Sequence, residues 1–170
     1  MKNSTPRPES QRSLMVFAMG LPAAGKTTKV RALYPEAVRI DPDLFKERHP
    51  NYDPTHPELL HTWSMDRAEA KFEEALDSRC FDFIIDGTGT NSDRMVRRMK
   101  RASAAGFRVA LVYVRCTLET SIRRNAARER NVPEHVIRAK ALDIATAFEL
   151  AAPYADSVHV IENNSDQKEA

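Results

Sequence analysis

Short apolar runs bounded by turn residues alternate along the chain with longer stretches whose apolar positions recur every three or four residues. The runs predict strands at Leu14 to Met19, Ala37 to Ile40, Phe81 to Ile85, Arg108 to Val114 and Ser157 to Ile161. The first, LMVFAM, has no polar alternation, as expected of a parallel strand covered on both faces. The periodic stretches predict helices. One covers Lys26 to Leu33, and a long one follows Thr55-His-Pro-Glu58, whose threonine and glutamate form a capping box. That helix carries Leu60, Trp63, Ala68, Phe72 and Ala75 or Leu76 along one face. A third runs from about Asn91 to Ala105 and stops at Gly106. A fourth, Glu134 to Ala151, presents Ile137, Ala141, Ile144, Ala145 and Phe148 for packing. Strands alternating with helices argue for an α/β fold built on a parallel sheet.

Length and composition narrow the reading. At 170 residues, 42% hydrophobic and 29% charged, the chain suits one soluble domain with a sizeable core. A net charge of +2 gives no support to a polyanionic partner, so nucleic acid is not expected. Cys80 and Cys116 have neither metal-site nor disulfide-framework spacing, which points to a reducing, cytoplasmic setting. No run approaches a membrane span. Residues 1–12 are polar and read as a disordered arm, and 163–170 read as a disordered tail. The working domain is expected over 13–162.

The strongest chemical signal is GLPAAGKTT, residues 20 to 28, between a predicted strand and a predicted helix. It fits the phosphate loop G-x-x-x-x-G-K-[ST]. Gly20 and Gly25 let the backbone curl, so that the loop residues Leu21, Pro22, Ala23 and Ala24 can present amides to phosphate oxygens. Lys26 is placed to reach the β- and γ-phosphates, Thr27 to ligate magnesium, and Thr28 to bind the nucleotide at the helix start. ATP and magnesium are the expected cofactors.

Two acidic stretches follow strand ends. In RIDPDLFKERHPNYD, residues 39 to 53, Asp41 suits an N-cap and Pro42 the first helical position. Asp43 either complements the helix dipole or, lying just past a strand's carboxyl end, takes the proton of an attacking hydroxyl. Phe45 and Tyr52 are candidates for an acceptor pocket. In FDFIIDGTGTNSD, residues 81 to 93, Asp86 resembles a Walker-B carboxylate. It holds magnesium through water or binds the acceptor, with Thr88 and Thr90 offering hydroxyls and Asn91 or Ser92 capping the next helix. A basic run over 116 to 136 holds Arg123, Arg124, Arg128 and Arg130. It reads as a solvated helix face or as an arginine lid, about 117–132, over the donor phosphates. His56 and His61 are five residues apart, on different helix faces, so they do not form a metal pair. Trp63 and Phe72 read as core.

Three segments in this order resemble the zeta-toxin-like P-loop kinases: GLPAAGKTT, IDPDLFKERHPNYD and IIDGTGTNSD. The second is similar to that family's I-D-x-D-x-F-K-x-x-H-P-N-[YF]-D segment. The resemblance implies transfer of the ATP γ-phosphate to a sugar hydroxyl, in known members that of UDP-N-acetylglucosamine. It implies Asp43 as base, Lys26 as loop lysine, Arg124 and Arg130 as phosphate-contacting arginines, and Asp86 and Thr88 near the acceptor. Asp86 stands where the family usually has glutamate. The resemblance also raises an antitoxin protein as partner, which no residue pattern addresses. The resulting expectation is a P-loop kinase fold: a five-stranded parallel sheet in order 2-3-1-4-5, with helices on both faces. Its rivals are a polynucleotide 5′-hydroxyl or other metabolite kinase, a non-catalytic ATP switch, and a toxin homologue kept for partner binding.

Overall fold

The computed structural model describes residues 12–78, 80–128 and 132–165. In chain order the elements are β1 (Leu14–Met19), α1 (Lys26–Leu33), β2 (Val38–Ile40), α2 (Pro42–Glu47), α3 (His61–Asp77), β3 (Phe83–Ile85), α4 (Ser92–Ala104), β4 (Arg108–Arg115), α5 (Leu118–Ala126), α6 (Glu134–Ala151) and β5 (Ser157–Glu162). Short 3-10 turns precede α3 at Pro57–Leu60 and β5 at Ala152–Tyr154. The described residues form one five-stranded sheet, ordered β2-β3-β1-β4-β5, with every neighbouring pair parallel. This is the expected fold and strand order.

The apolar runs explain the sheet's position. In β1 the residues from Met15 to Met19 are buried, and β4 is buried from Val109 to Val114. Neither strand alternates because helices cover both of its faces. The chain moves one way along the sheet from β1 to β2 and the other way from β2 onward. Right-handed connections therefore put α1 on one face and α4 and α6 on the other. Phe17 and Phe72 are fully buried, and each contributes about 1.5–3 kcal/mol through apolar area removed from water. All the strands run in the same direction, so the loops after β1, β2, β3 and β4 collect at one end, where open α/β sheets bind ligands.

Local differences from the sequence reading have local causes. The capping box at Thr55 does not form, because Asp53 Oδ1 accepts from both the amide and the hydroxyl of Thr55, at 2.8 and 2.6 Å. Glu58 is engaged by His56 Nδ1 at 3.1 Å instead. Trp63 is not core: it is 37% exposed, edge-on to His49. The buried position beside it belongs to Ser64, whose hydroxyl satisfies itself on the His61 carbonyl. On α6 the stripe continues through Ala147 and Ala151, and Ala145 is exposed. The expected cap of α4 does form, Asn91 accepting from the Arg94 amide at 2.9 Å. The expected N-terminal arm lies outside the described residues except for Arg12. Asn163 to Ser165, expected in a disordered tail, are tied to the domain by hydrogen bonds.

Candidate active site

Residues 20–25 turn the chain from β1 into α1, and the rest of the protein holds this loop by hydrogen bonds from several elements. The Gly20 amide donates to Thr88 O (3.0 Å), Ser121 Oγ of α5 donates to Pro22 O (2.7 Å), and Asn163 Nδ2 donates to Ala24 O (2.8 Å). Loop carbonyls engaged by protein donors are kept off an anion, which a phosphate cradle requires. Ala23 sits in the left-handed region at φ 56° and Gly25 at φ 84°. Glycine takes that conformation freely, whereas an alanine there costs about 1–2 kcal/mol. Strain of this kind persists where the surroundings over-determine it, commonly at functional sites. Gly25 is also required for space, since a Cβ there would lie 2.5 Å from Asn163 Nδ2.

Lys26 Nζ donates to the Gly20 and Leu21 carbonyls, both at 2.9 Å. Burial pushes its pKa down, opposed by the Asp86 carboxylate and reinforced by the Arg128 guanidinium. Arg128 is exposed, yet its charge reaches the loop lysine. Thr27 Oγ1 meets Asp86 Oδ2 at 3.3 Å, so the loop hydroxyl and the carboxylate at the end of β3 converge. Both are hard oxygen donors and fit a magnesium ion. Thr28 is exposed on the first turn of α1.

Asp41 caps α2 as expected, Oδ1 accepting from the Asp43 amide at 2.9 Å. Its other oxygen pairs with Arg39 Nη2, and Arg39 Nε lies 3.2 Å from Asp86 Oδ2. Burial raises the Asp41 pKa, and the neighbouring Asp86 charge raises it further. Asp43 itself is half exposed, with Lys46 Nζ 3.3 Å from its Oδ1. Phe45 packs against the core, and Tyr52 is half-buried. Thr88 Oγ1 lies 3.3 Å from Thr90 Oγ1 and accepts from Lys140 Nζ of α6 at 3.4 Å.

Residues 118–126 of the basic run form the ordinary helix α5, capped by Thr117. Arg124 donates to the Asn163 and Ser165 carbonyls at 2.8 and 2.7 Å, which binds the segment after β5 to α5. Arg123 is exposed. Arg130 lies outside the described residues. The structure thus gathers Lys26, Thr27 and Asp86, brings Arg128 into their field, and sets Asp43 beyond the adjoining strand end.

Sequence reading passed over four side chains here. Arg39 carried a signal, a charged residue within a strand that leads into two acids. Lys46 lies one helical turn from Asp43. Lys140 and Asn163 come from elements distant in sequence and carried none.

A sequence profile described as an AAA domain matches residues 15–150. The chain belongs to that family. Its sheet order is that of the P-loop kinase fold. The chain is similar to toxin zeta of Enterococcus hirae, 30% identical over 102 residues, which cover 52% of this chain and 34% of the toxin. It is also similar to L-seryl-tRNA(Sec) kinase of Methanococcus maripaludis, 23% identical over 132 residues, covering 74% of this chain and 50% of that protein. The domain therefore spans no more than half the length of these relatives. In three dimensions it matches a chain from the PezAT chromosomal toxin–antitoxin system of Streptococcus pneumoniae. The TM-score is 0.70 at 19% identity, over 89% of this chain and 68% of that one, which shows the shared fold. Among the described residues no helix is long and apolar enough to cross a membrane.

Proposed function

We propose that this AAA domain is an ATP-dependent phosphotransferase that moves the γ-phosphate to a hydroxyl of a small molecule, a sugar or nucleotide-sugar such as UDP-N-acetylglucosamine. The observation that carries the reading is the meeting of Thr27 Oγ1 with Asp86 Oδ2 at the phosphate loop, with Asp43 just past the end of the adjoining strand. A pure nucleotide switch has no use for a half-exposed carboxylate at that place. In the step, the acceptor oxygen forms a bond to the γ-phosphorus as the bridge to the β-phosphate breaks and ADP leaves. Asp43 takes the hydroxyl proton, with Lys46 holding its carboxylate. Lys26, Arg124, Arg128 and Arg130 are assigned the role of offsetting charge that spreads onto the transferred phosphoryl. A magnesium ion held by Thr27, and through Asp86, would neutralise the β- and γ-oxygens. Phe45 and Thr88 are assigned to the acceptor side. The setting is cytoplasmic, and an antitoxin is the proposed protein partner.

The similarity to L-seryl-tRNA(Sec) kinase favours a second acceptor class, a hydroxyl carried on RNA. Both are tested by incubating the protein with labelled ATP, magnesium and a panel of UDP-sugars, nucleosides, seryl-tRNA and 5′-hydroxyl oligonucleotides. The labelled product is identified by mass. A UDP-sugar phosphate supports the first reading and a phosphorylated RNA the second. Asp43→Asn should then lower transfer about 10²- to 10⁴-fold, the range for losing a general base, with ATP affinity held within a few fold. Full transfer by that variant would remove Asp43 from the chemistry.

A further inference from the structure

β2 and β3 pair in register, Ile40 beside Ile85, and the Asp86 amide donates to the Ile40 carbonyl at 3.0 Å. Asp41 and Asp86 therefore leave neighbouring strands at the same level. Their side chains are only 10% and 8% exposed. Two shielded carboxylates side by side, next to the Thr27 hydroxyl, are by themselves an inviting site for a hard divalent cation. This protein has put a cation there already. Arg39 comes up from β2 with Nη2 on Asp41 Oδ2 and Nε 3.2 Å from Asp86 Oδ2. That second oxygen is the one Thr27 meets at 3.3 Å. The Nε contact is electrostatic, because its geometry is not that of a hydrogen bond.

We propose that Arg39 is the resident cation of the Asp41–Asp86 pair, and that it makes divalent-metal binding at this site wait for the nucleotide. The charge count supports this. Arg39 and Lys26 both face the two carboxylates, so the cluster is close to neutral. A guanidinium does not give up its proton in a protein, so no loss of charge lifts the block. Magnesium sheds its water reluctantly and needs anionic ligands, and a neutral cluster does not supply them. A nucleoside triphosphate does, and it draws Lys26 to itself as well. Metal and nucleotide then bind as one unit. The inference rests on reading the loop as a nucleotide site, but its test does not use phosphoryl transfer.

Mn2+ serves as the probe, counted as free ion by electron paramagnetic resonance in titrations with and without ADP. Thermal melts in Mg2+ are run against sodium chloride of equal ionic strength. The wild-type protein should take up Mn2+ only with ADP present and should melt alike in the two salts. Uptake of Mn2+ without nucleotide would overturn the proposal, and this arm needs no variant to fold. In Arg39→Met the carboxylate pair loses its counter-ion and should gain a nucleotide-independent site. Mn2+ should bind at least tenfold more tightly than to the wild type, and Mg2+ alone should raise the melting temperature through linkage. Arg39→Lys keeps a cation and should behave as the wild type. A folded Arg39→Met without that gain also overturns the proposal. A failed kinase reading would show separately, as an acceptor panel without product while the metal results stand.

Discussion

Asn163→Ala tests whether the phosphate loop is held in shape by the residue that follows the edge strand β5. The residue is 8% exposed, and its Nδ2 donates to Ala24 O at 2.8 Å. Its backbone has separate duties, the amide donating to Arg115 O and the carbonyl accepting from Arg124, both at 2.8 Å. Alanine keeps those and removes only the clamp. A buried carbonyl left without its partner costs about 1–3 kcal/mol. A central value of about 2 kcal/mol lowers the melting temperature by roughly 4–8 °C for a chain of this size. The loop also loses the contact that pins Ala24 beside Ala23, which carries about 1–2 kcal/mol of left-handed strain. Relaxation there must be reversed when phosphates bind. If most of that strain is released, ATP affinity falls about tenfold, at about 1.4 kcal/mol per decade. Thermal unfolding gives the first number and titration calorimetry with a non-hydrolysable ATP analogue the second. Asn164→Ala is the control. It removes an exposed contact to the Thr117 amide that involves no loop residue, and should leave ATP affinity unchanged. Wild-type affinity in Asn163→Ala, with stability lowered, would refute the coupling between clamp and loop.

Further outcomes follow from the same geometry. Lys26→Ala should abolish phosphoryl transfer and weaken ATP binding strongly while leaving the chain folded; wild-type turnover would end the phosphate-loop reading. Arg124→Ala should lower the maximal rate far more than ATP affinity, with Arg124→Lys recovering only part, since an ammonium cannot reproduce the guanidinium fork. Arg123→Ala should be tolerated, and equal small effects at both positions in steady-state kinetics would mean a solvated basic face. Cys80 is exposed and should react promptly with iodoacetamide, whereas burial shields the Cys116 thiol and pushes its pKa up; timed labelling read by mass spectrometry checks this, and equal rates would contradict it.

The parts legible in sequence were those set by local pattern. LMVFAM could only be a buried strand, and a glycine-rich turn leading into KTT fixed where α1 begins. The Asp41-Pro42 start of α2 was equally plain, because capping chemistry is confined to neighbouring residues. Contacts between distant segments were not legible. Thr55 looked like a cap because Thr and Glu stand at the right spacing, but Asp53, two residues upstream, competes for the same hydroxyl and amide. Trp63 looked like core by periodicity, yet α3 turns the smaller Ser64 inward and leaves Trp63 against His49. Asn163 sits in a polar C-terminal stretch that composition alone marks as tail. Only the parallel pairing of β4 with β5 carries it to the phosphate loop.

The exposure of the carboxylates bears on the question sequence left open, whether Asp86 serves the metal or the acceptor. Two carboxylate–cation couples stand at adjoining strand ends, Asp86 with Arg39 and Asp43 with Lys46. The Asp86 side chain is 8% exposed and already committed to Arg39 and Thr27. The Asp43 side chain is 50% exposed. An incoming sugar can reach the second from its exposed side, and the first only by breaking a shielded ion pair. A glutamate at position 86, as in the resembling family, would carry its carboxylate one methylene farther from the strand end and away from Arg39. The shorter aspartate keeps the charge beside Thr27. On this ground we assign Asp86 to the metal side and leave the acceptor to Asp43 and Thr88. Lys140, whose ammonium reaches the Thr88 hydroxyl from α6, then offers a further cation to an acceptor that carries its own phosphates.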